Sequence, residues 1–583
     1  MRFALGLQAD AVRSTQARWD AEGRTRRLWA RDAAIFSNAD EARWLGWLDL
    51  PTAPPAAAIG DTALREAIAS HPADTAVVLG MGGSSLWPDV LGRTFNDRPA
   101  TSAEAPGAPR RRPLFVLDST VPDAIEGFLA RVDATRCLFF VSSKSGSTIE
   151  PNALFELIHA RLAAKLAGSA AAASRHFVAI TDPGSALEAR ARAAGFLGIA
   201  LGRADVGGRF SALSPFGLLP AAAMGLDPEQ LLARARRMTE ACSPSVATAE
   251  NPGVALGLAL GLLAQQGRDK LSLSLSPAIA SFGGWIEQLV AESTGKAGHG
   301  ILPIPDEGLG DPARYANDRV FVDLALAGDP STAARSARLD ALERAGHPTI
   351  RIELEDALDL GAAVFQWEMA TAVVGAVLGV NPFDQPDVES AKQATRQLMA
   401  AAESAAGRAE AKADAESSGL RIFAARALAP AARAAAGDPA RLVKALIDSI
   451  APRDGFLLNA FLADTPEIRA KLETIRNAVG PARQVATALS FGPRYLHSSG
   501  QLHKGGPDRF SGLQLWQSAG SRRGDRLAIP GIGGDFDALA EAQAVGDFRV
   551  LSERGRRMLG IDVGPDPLAA LDALARWIRG ALA

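Results

Sequence analysis

Short unbroken apolar runs, each followed by a turn and a helical stretch, organise the first part of the chain. Four such runs occur, at 76–79, 114–117, 138–141 and 177–180. None of them alternates apolar with polar positions, which is typical of strands buried on both faces. The pattern therefore predicts a parallel sheet with helices packed on both sides.

A second series of apolar runs follows later in the chain. Its members span 271–275, 320–326, 349–354, 456–461 and 485–489. The first fifty residues differ, because their apolar positions recur at helical spacing until the Pro- and Gly-containing segment 51–60. We therefore predict a helical arm at 1–50, a first α/β subdomain at 51–235 and a second at 236–583. The Ala-rich stretch 399–436 is predicted to be helical.

Composition then narrows the classes of function. The 583 residues are 48% hydrophobic and 22% charged with a formal net charge of −3, so the basic excess of a nucleic-acid-binding protein is missing. Cys137 and Cys242 form neither a disulfide framework nor a metal-ligand spacing with histidine. The N-terminus reaches charged residues too soon for a signal peptide, and the run 252–264 is shorter than the roughly 20 residues that span a bilayer. We expect a cytoplasmic protein without a metal, a membrane or a nucleic acid as partner.

The turn after the first predicted strand, GMGGSS, is rich in glycine and hydroxyl groups. Gly83 lets the backbone approach a ligand, and Ser84 stands at the expected start of a helix, where free N–H groups favour an anion. No GK[ST] follows, and Leu86 occupies the third glycine position of a dinucleotide loop. Two interpretations stay open for this motif alone, a ligand-binding turn and a tight strand–helix turn with a Ser cap.

The segment SSKSGST follows the third predicted strand. It holds five hydroxyl side chains, one glycine and Lys144 between positions 142 and 148. Many donors with one cation and no acid indicate a phosphate-binding loop. Further on, Arg209 follows two glycines in GGRFS, which bring its guanidinium close to a ligand oxygen. The GMGGSS and SSKSGST loops, on neighbouring strands, together indicate a phosphorylated small molecule as the ligand.

Three later segments carry further polar candidates. Glu292 lies near the end of a predicted helix, just before Ser-Thr-Gly-Lys, and Gln385 and Lys392 lie in FDQPDVESAK. His497 and His503 are two of only seven histidines and share one Gly-rich loop. Alone, the glutamate is an ordinary helical acid, whereas the clustering of two histidines favours a function.

Taken together, GMGGSS, SSKSGST, GGRFS, ESTGK, FDQPDVESAK and HSSGQ resemble the phosphoglucose isomerase (glucose-6-phosphate isomerase) family over about residues 75–510. The segments RLWARDAAIF, LGWLDLP and RYLHSSGQLHKGGP are most similar to the isomerase half of bifunctional transaldolase/phosphoglucose isomerases. No transaldolase half precedes this segment, so we predict the isomerase activity alone.

The resemblance implies reversible interconversion of glucose 6-phosphate and fructose 6-phosphate, a step of glycolysis and gluconeogenesis. It implies an α/β fold with two sugar-isomerase-type αβα sandwich subdomains, parallel sheets, a helical N-terminal arm and a C-terminal extension. It also implies a homodimer in which the neighbour completes each site, and no cofactor.

The resemblance further assigns roles to individual residues. Glu292 would be the base that carries a proton between C2 and C1 through an enediolate, and Arg209 would face the reacting carbons as a fixed cation. Lys392 would contact the sugar and assist ring opening. The residues that would hold the phosphate and the sugar are Gly83, Ser84, Ser143, Lys144, Ser145, Thr148 and Gln385.

Two departures from the family pattern affect these assignments. Asp387 replaces a small residue after the DQ pair and adds a charge near the site. The ring-opening histidine of the family lies between the glutamate and FDQ, where this chain has His347 in GHPTIRI, at the start of a predicted strand. The HSSGQ segment comes after FDQ instead, so His497 is assigned on spatial grounds and His503 remains the alternative.

Two other functions are compatible with parts of the pattern. A non-catalytic phosphosugar-binding regulatory domain would keep the Ser-rich loop without a base, and the joint presence of Glu292, Arg209 and Lys392 argues against it. A dehydrogenase would use GMGGSS as a degenerate dinucleotide loop with Asp118 downstream, and the missing third glycine argues against that.

Overall fold

The computed structural model describes residues 1–97, 111–387, 393, 412–417, 419–531 and 533–583. Sixteen strands lie within these ranges. They are β1 (Arg2–Ala4), β2 (Thr75–Gly80), β3 (Leu114–Leu117), β4 (Cys137–Ser142), β5 (Phe177–Thr181), β6 (Gly198–Leu201), β7 (Lys270–Leu275), β8 (Leu302–Ile304), β9 (Arg319–Leu326), β10 (Thr349–Leu354), β11 (Ala415–Ser417), β12 (Leu420–Ala424), β13 (Gly455–Phe461), β14 (Ala486–Phe491), β15 (Phe510–Trp516) and β16 (Arg557–Asp562).

Helices connect these strands and cover the sheets. Those in the described ranges are α1 (Ala9–Ala21), α2 (Arg24–Trp29), α3 (Pro55–Ile59), α4 (Thr62–Ser70), α5 (Leu86–Phe95), α6 (Pro122–Leu129), α7 (Ile149–Lys165), α8 (Ala170–Ser174), α9 (Ala186–Ala194), α10 (Pro215–Ala223), α11 (Pro228–Ala241), α12 (Pro252–Gln265), α13 (Phe282–Thr294), α14 (Thr332–Arg344), α15 (Leu360–Leu378), α16 (Ala429–Ala435), α17 (Pro439–Asp448), α18 (Pro466–Arg483), α19 (Gly500–Gly505), α20 (Phe536–Glu553) and α21 (Pro567–Leu582).

The strands form three sheets, and each defines a lobe. The first lobe contains an all-parallel sheet of order β3-β2-β4-β5-β6, as its unalternated apolar runs predict. The sheet of the second lobe has the order β1-β10-β9-β7-β8, with β1 antiparallel at its edge. The sheet of the third lobe has the order β11-β12-β16-β15-β13-β14. Its strands β16, β15, β13 and β14 are parallel, and β12 pairs antiparallel with β16. The predicted α/β class with parallel sheets is confirmed.

The second series of apolar runs divides between two sheets. The runs at 271–275, 320–326 and 349–354 lie in the second lobe, whereas those at 456–461 and 485–489 lie in the third. One hydrophobic cluster joins the first and second lobes, while a separate cluster between Ala415 and Ile578 lies under the third sheet. The predicted single subdomain at 236–583 thus contains two sheets, because the later strands bury their apolar faces against their own helices.

Two local predictions differ from the structure. The arm at 1–50 is helical in α1 and α2, but its first residues form β1, which pairs with β10. The described part of the Ala-rich stretch, from 412 onward, forms β11, β12 and the short helix α16 instead of one long helix. Pairing of β12 with β16 and burial of Ile422 outweigh the helix propensity of the neighbouring alanines. Residues 399–411 of this stretch lie outside the described residues.

The apolar run 252–264 forms α12, a buried core helix as predicted. Its glycines allow close packing on α15, since a Cβ at Gly257 would lie 2.4 Å from the carbonyl oxygen of Ala370. One described helix, Ala357–Leu378, matches a membrane span in length and hydropathy, but 89% of that window is buried inside the protein. Tight packing of α12 against α15 accounts for the apolar composition of both helices.

The buried carboxyl of Glu368 gives a prediction about stability. Glu368 lies on α15 at 0% exposure, and within the described ranges neither carboxyl oxygen has a hydrogen-bond partner. Burial raises the pKa of Glu368 well above its ordinary value. The folded state therefore binds a proton more tightly than the unfolded state. The free energy of unfolding should fall, by up to about 1.4 kcal/mol per pH unit, as pH rises from about 4.3 toward the folded pKa.

Glu368→Gln should remove this part of the pH dependence. Chemical unfolding at several pH values should show matching stabilities near pH 4 and a more stable variant near pH 8. Glu66→Gln, at an exposed position of α4, is the matched control and should follow the wild type throughout. Parallel stability curves for wild type and Glu368→Gln would contradict the prediction.

Candidate active site

The site lies where carboxyl-end loops of the first sheet meet the other two lobes. The loops after β2, β4 and β6 share one edge because their strands are parallel. Two of these loops pack without a gap, since a Cβ at Gly83 would lie 2.1 Å from the carbonyl oxygen of Gly208. A Cβ at Gly82, whose φ is +55°, would lie 2.6 Å from the carbonyl oxygen of His497. These glycines thus bring the GMGGSS turn against GGRFS and HSSGQ.

The hydroxyls of the GMGGSS turn are buried at this junction. Ser84 is buried at the loop contact, and Ser85 Oγ donates to Asp118 Oδ2 over 3.1 Å. The same carboxylate oxygen accepts from Arg494 Nε at 2.6 Å. The geometry gives no support to a dehydrogenase in which Asp118 holds a ribose, because that carboxylate already fastens two loops together.

The segment SSKSGST wraps the start of α7. Ser143 Oγ donates to Thr148 Oγ1 over 3.0 Å, while Ser145 is exposed. Asn152 Nδ2 donates to the carbonyl oxygens of Gly146 and Thr148 and thereby fixes the loop on the helix. Thr148 occupies the N-cap of α7 without a side-chain capping hydrogen bond. Hydroxyls beside an uncapped helix N-terminus form an environment suited to an anion.

Lys144 differs from the rest of the loop in its contacts. Its Nζ donates to Asp182 Oδ1 at 2.7 Å and to the carbonyl oxygen of Arg203 at 2.9 Å. Burial lowers the pKa of Lys144 and raises the pKa of Asp182, while their ion pair opposes both shifts. The ammonium therefore anchors the loop to the neighbouring strand ends.

Arg209 and Glu292 meet in the interior of the site. Arg209 Nη1 lies 3.2 Å from Glu292 Oε1, with the two side chains 2% and 10% exposed. Arg209 Nε donates to Ser293 Oγ, and Nη1 donates to Gln385 Oε1. Nη2 donates to the carbonyl oxygens of residues 382 and 384. Burial lowers the pKa of Arg209, whereas the charge of Glu292 opposes this shift. The guanidinium stays a cation and is held rigidly by its hydrogen bonds.

Gln288 is a site residue that the sequence patterns did not single out. It lies four residues before Glu292 on α13, and its Nε2 is 3.1 Å from Glu292 Oε2 and 2.7 Å from the carbonyl oxygen of His497. Its Oε1 is buried and has no hydrogen-bond partner in the part of the chain that is described. The spacing of four on one helix face was the signal available in the sequence.

His497 reaches the site from the third lobe. It ends the short helical turn Arg494–His497 after β14, and its Nε2 is 2.9 Å from Glu150 Oε1. Glu150 is buried in the first turn of α7, directly after the predicted phosphate loop. The His497 segment of the third lobe thus contacts the first lobe. Gln288 of the second lobe donates a hydrogen bond to the backbone carbonyl of His497. The site takes side chains from all three lobes of one chain.

The other two histidines that the sequence raised lie elsewhere. His503 is fully buried between the rings of Tyr495 and Phe510, and burial lowers its pKa to about 3. Neither ring nitrogen of His503 has a hydrogen-bond partner among the described residues. His347 packs against the rings of Tyr315 and Phe321 in the second lobe. Of the three histidines, the structure brings only His497 to Glu150 and Gln288.

The FDQPDVESAK segment contributes Gln385, which accepts from Arg209 as described. The added charge of Asp387 is neutralised, since Asp387 accepts from Gln501 Nε2 at 2.8 Å and pairs with Arg554. Lys392 lies outside the described residues.

Lys296, the last residue of ESTGK, is a second buried cation at the site. Its Nζ lies 2.7 Å from Asp384 Oδ1 and also donates to the carbonyl oxygen of Asn381. Burial, with the nearby Arg209 charge, lowers the pKa of Lys296 to about 7. The turn before Gln385 thus binds two cations through its carbonyl oxygens. In the described ranges no group of three or more His, Cys, Asp or Glu side chains is placed to hold a metal.

Comparisons with known proteins give this arrangement a family. No family model matches the chain. A glucose-6-phosphate isomerase of Rubrobacter xylanophilus is 33% identical over 374 residues, which are 58% of this chain and 85% of the relative. One from Synechococcus sp. strain JA-3-3Ab is 30% identical over 443 residues, covering 67% of this chain and 81% of that protein.

One crystal structure is similar to about the same share of this chain as the Synechococcus relative. A hypothetical protein of Thermus thermophilus is similar with a TM-score of 0.56 and 27% identity, over 68% of this chain and 99% of that one. The rest of this chain has no counterpart in that structure. The identity to the Rubrobacter protein over most of its length shows that this chain belongs to the glucose-6-phosphate isomerase family.

Proposed function

We propose that this protein is an aldose–ketose isomerase that interconverts glucose 6-phosphate and fructose 6-phosphate. The observation that carries the proposal is the buried Glu292 carboxylate, 3.2 Å from the Arg209 guanidinium and joined through Gln288 to the loop of His497. A base, a fixed cation and an acid–base histidine are the groups that this reaction needs. The names of the relatives agree with it.

Glu292 would carry the proton of the isomerisation step. In the open-chain aldose, its carboxylate takes the proton from C2, and the electron pair of the C–H bond forms the C1–C2 double bond of an enediolate. The same carboxyl returns the proton to C1, while the hydroxyl proton of O2 is transferred to O1, so that C1 becomes a hydroxymethyl carbon and C2 the ketone carbonyl. One base is sufficient because both carbons present the same face. The buried charge of Arg209 stabilises the negative charge that develops on oxygen.

His497 would open the sugar ring. An imidazole that hydrogen-bonds a carboxylate through Nε2 carries a proton there, so Nδ1 is the nitrogen that faces the ring oxygen. When Nδ1 is protonated as well, it gives that proton to the ring oxygen as the bond from C1 to the ring oxygen breaks, and a base takes the proton of the C1 hydroxyl as the C1 carbonyl forms. Within the described residues, Nε2 is the only ring nitrogen of His497 with a hydrogen bond. Lys392 remains a predicted second participant in ring opening, on the resemblance of its segment alone.

The phosphate would bind at the start of α7. The hydroxyls of Ser143, Ser145 and Thr148 surround the uncapped helix N-terminus, and the GMGGSS turn with Ser84 lies on the adjacent strand end. The phosphate takes no part in the chemistry, so its binding energy positions the reacting carbons. The homodimer remains a prediction.

A coupled assay tests the proposed activity directly. The purified protein is supplied with fructose 6-phosphate, and glucose 6-phosphate is followed by an NADP-dependent reporter enzyme. Turnover, together with exchange of solvent hydrogen into C2 of glucose 6-phosphate, is the expected result. Saturable binding of the phosphosugar without turnover would instead favour the non-catalytic regulatory domain.

Lys144→Met gives a prediction for the phosphate loop. If the ammonium supports phosphate binding, its loss should raise KM for fructose 6-phosphate by about 10–100-fold with kcat less changed, since the phosphate does not react. Asp182→Asn is the matched variant, because it breaks the loop anchor but keeps the cation. An equal rise of KM in both variants would assign Lys144 to anchoring the loop. An unchanged KM in Lys144→Met would exclude either role.

A further inference from the structure

The third lobe supplies a second side chain to the pair formed by His497 and Glu150. Gln543 lies on α20 at 2% exposure, and its Nε2 donates to Glu150 Oε1 over 2.8 Å. The same carboxylate oxygen is 2.9 Å from His497 Nε2. At the other end of the amide, Thr120 Oγ1 donates to Gln543 Oε1 over 2.6 Å.

The direction of these hydrogen bonds follows from the groups involved. An ionised carboxylate only accepts, so the amide nitrogen of Gln543 must face Glu150 and its oxygen must face the hydroxyl of Thr120. Glu150 Oε1 therefore receives two N–H donors, one from the amide and one from the imidazole. With both donors directed at one oxygen, the geometry places Glu150 as the acceptor of the Nε2 proton.

We propose that Gln543 is a positioning residue for ring opening, which acts on His497 through Glu150. It keeps the imidazole in the tautomer with the proton on Nε2 and leaves Nδ1 as the nitrogen that exchanges a proton with the sugar ring oxygen. The inference rests on the ring-opening role proposed above for His497. It assigns a function to α20, which contacts the first lobe through Gln543 at the start of α7.

The docking of the third lobe makes this arrangement rigid. Arg494, three residues before His497, bonds Asp118 at 2.6 Å and lies 3.3 Å from Asp89 Oδ2, both on the first lobe. These contacts fix the backbone of the His497 loop, whereas Gln543 and Glu150 fix the ring. Within the third lobe, Arg494 thus fixes the backbone position of His497, and Gln543 fixes the orientation of its ring through Glu150.

The direct test is the tautomer of His497. In ¹⁵N spectra of protein labelled at histidine, His497 of the wild type should show the Nε2-protonated tautomer alone. Gln543→Met removes the donor at similar volume and should give a mixture of both tautomers. Gln517→Met is the matched control, because Gln517 also donates its amide within the third lobe, to the carbonyl oxygen of Gly564. An unchanged tautomer in Gln543→Met would overturn the inference, and this readout does not depend on any activity.

The kinetic test separates positioning from general damage. Exchange between the anomers of glucose 6-phosphate requires ring opening but no transfer of the C2 proton, so it is measured by NMR in the background of Glu292→Gln. Gln543→Met should slow the enzyme-catalysed anomer exchange by about 10–100-fold, the size expected for loss of a hydrogen bond to a charged group. Binding of the substrate should stay within a few-fold of the background variant.

A further variant covers the case in which Gln543→Met does not fold. Thr120→Val leaves the amide in place but removes the group that orients it, and it should change the tautomer ratio and the anomer exchange in the same direction, by less. Unchanged anomer exchange in folded variants would overturn the positioning role. A changed tautomer in a protein whose wild type shows no isomerase activity would support the control of the His497 tautomer by Gln543 and would exclude the proposed function, and with it the role in ring opening.

Discussion

Replacing Glu292 with Gln is expected to lower kcat for the isomerisation of fructose 6-phosphate by about 10²–10⁴-fold. Gln keeps the volume and one acceptor oxygen, which still accepts from Arg209, while the hydrogen bond from Gln288 Nε2 loses its acceptor. It has no basic oxygen to take the C2 proton, and that loss corresponds to roughly 3–5 kcal/mol of transition-state stabilisation. KM should change much less, because the predicted phosphate contacts lie on other loops.

Solvent-hydrogen exchange identifies the step that fails in this variant. Exchange into C2 of glucose 6-phosphate should disappear together with turnover, since one carboxylate carries that proton. Glu353→Gln, at an exposed position of β10, is the control and should leave both rates unchanged. If Glu292→Gln folds normally and keeps a tenth or more of wild-type turnover, Glu292 merely ends its helix and is not the base.

The sequence was informative wherever one short segment carried both the chemistry and its local geometry. Arg209 could be singled out because two glycines precede it. In the described structure the tight position is Gly83 on the facing loop, where a Cβ would lie 2.1 Å from the carbonyl oxygen of Gly208, whereas a Cβ at Gly208 itself would lie 3.9 Å from Lys144 Cδ. Glu292 was weak on its own and became a candidate only with its neighbours in ESTGK. Gln288 was missed although its spacing from Glu292 places both on one face of α13.

Contacts between distant segments were not predictable from motifs. In the sequence, Glu150 is an ordinary first-turn acid of a helix, and Gln543 is one polar residue of a long helix. Their roles depend on how the third lobe docks on the first, and no local pattern encodes that docking. Lys144 is an example in which a local motif predicted a contact that a distant residue makes instead. Its place in a hydroxyl-rich loop predicted a phosphate contact, but its ammonium donates a hydrogen bond to Asp182, 38 residues later.

The fold shows the same limit at a larger scale. Apolar runs located some of the strands in each of the three lobes and missed others, β15 and β16 among them. An unalternated run specifies burial on both faces and not the sheet that a strand joins. The runs at 320–326 and 456–461 are both nearly unbroken, but they lie in separate hydrophobic clusters. The second sheet ends before α15, and the described chain resumes in β11 and β12 at the edge of the third sheet.

Replacing His497 with Ala should impair ring opening and leave the proton transfer of the open chain in place. Acid–base help at the ring oxygen is needed only for the cyclic sugar, and a positioned acid–base group contributes about 10²–10⁴-fold. We therefore expect a loss of that order in turnover of fructose 6-phosphate and in anomer exchange of glucose 6-phosphate. An acyclic aldose phosphate should still exchange its C2 hydrogen with solvent at close to the wild-type rate.

The comparison with His503 decides the assignment of the displaced HSSGQ segment. His503→Ala removes a fully buried ring from the third lobe and should lower thermal stability, because it leaves a cavity between Tyr495 and Phe510. In the folded fraction, its ratio of cyclic to acyclic activity should match the wild type. His497→Ala should lower that ratio sharply with little change in stability, since the side chain lies at the edge of the site and not in a core. If His503→Ala lowers the ratio of cyclic to acyclic activity and His497→Ala does not, His503 is the ring-opening residue. The contact between His497 and Glu150 is then structural.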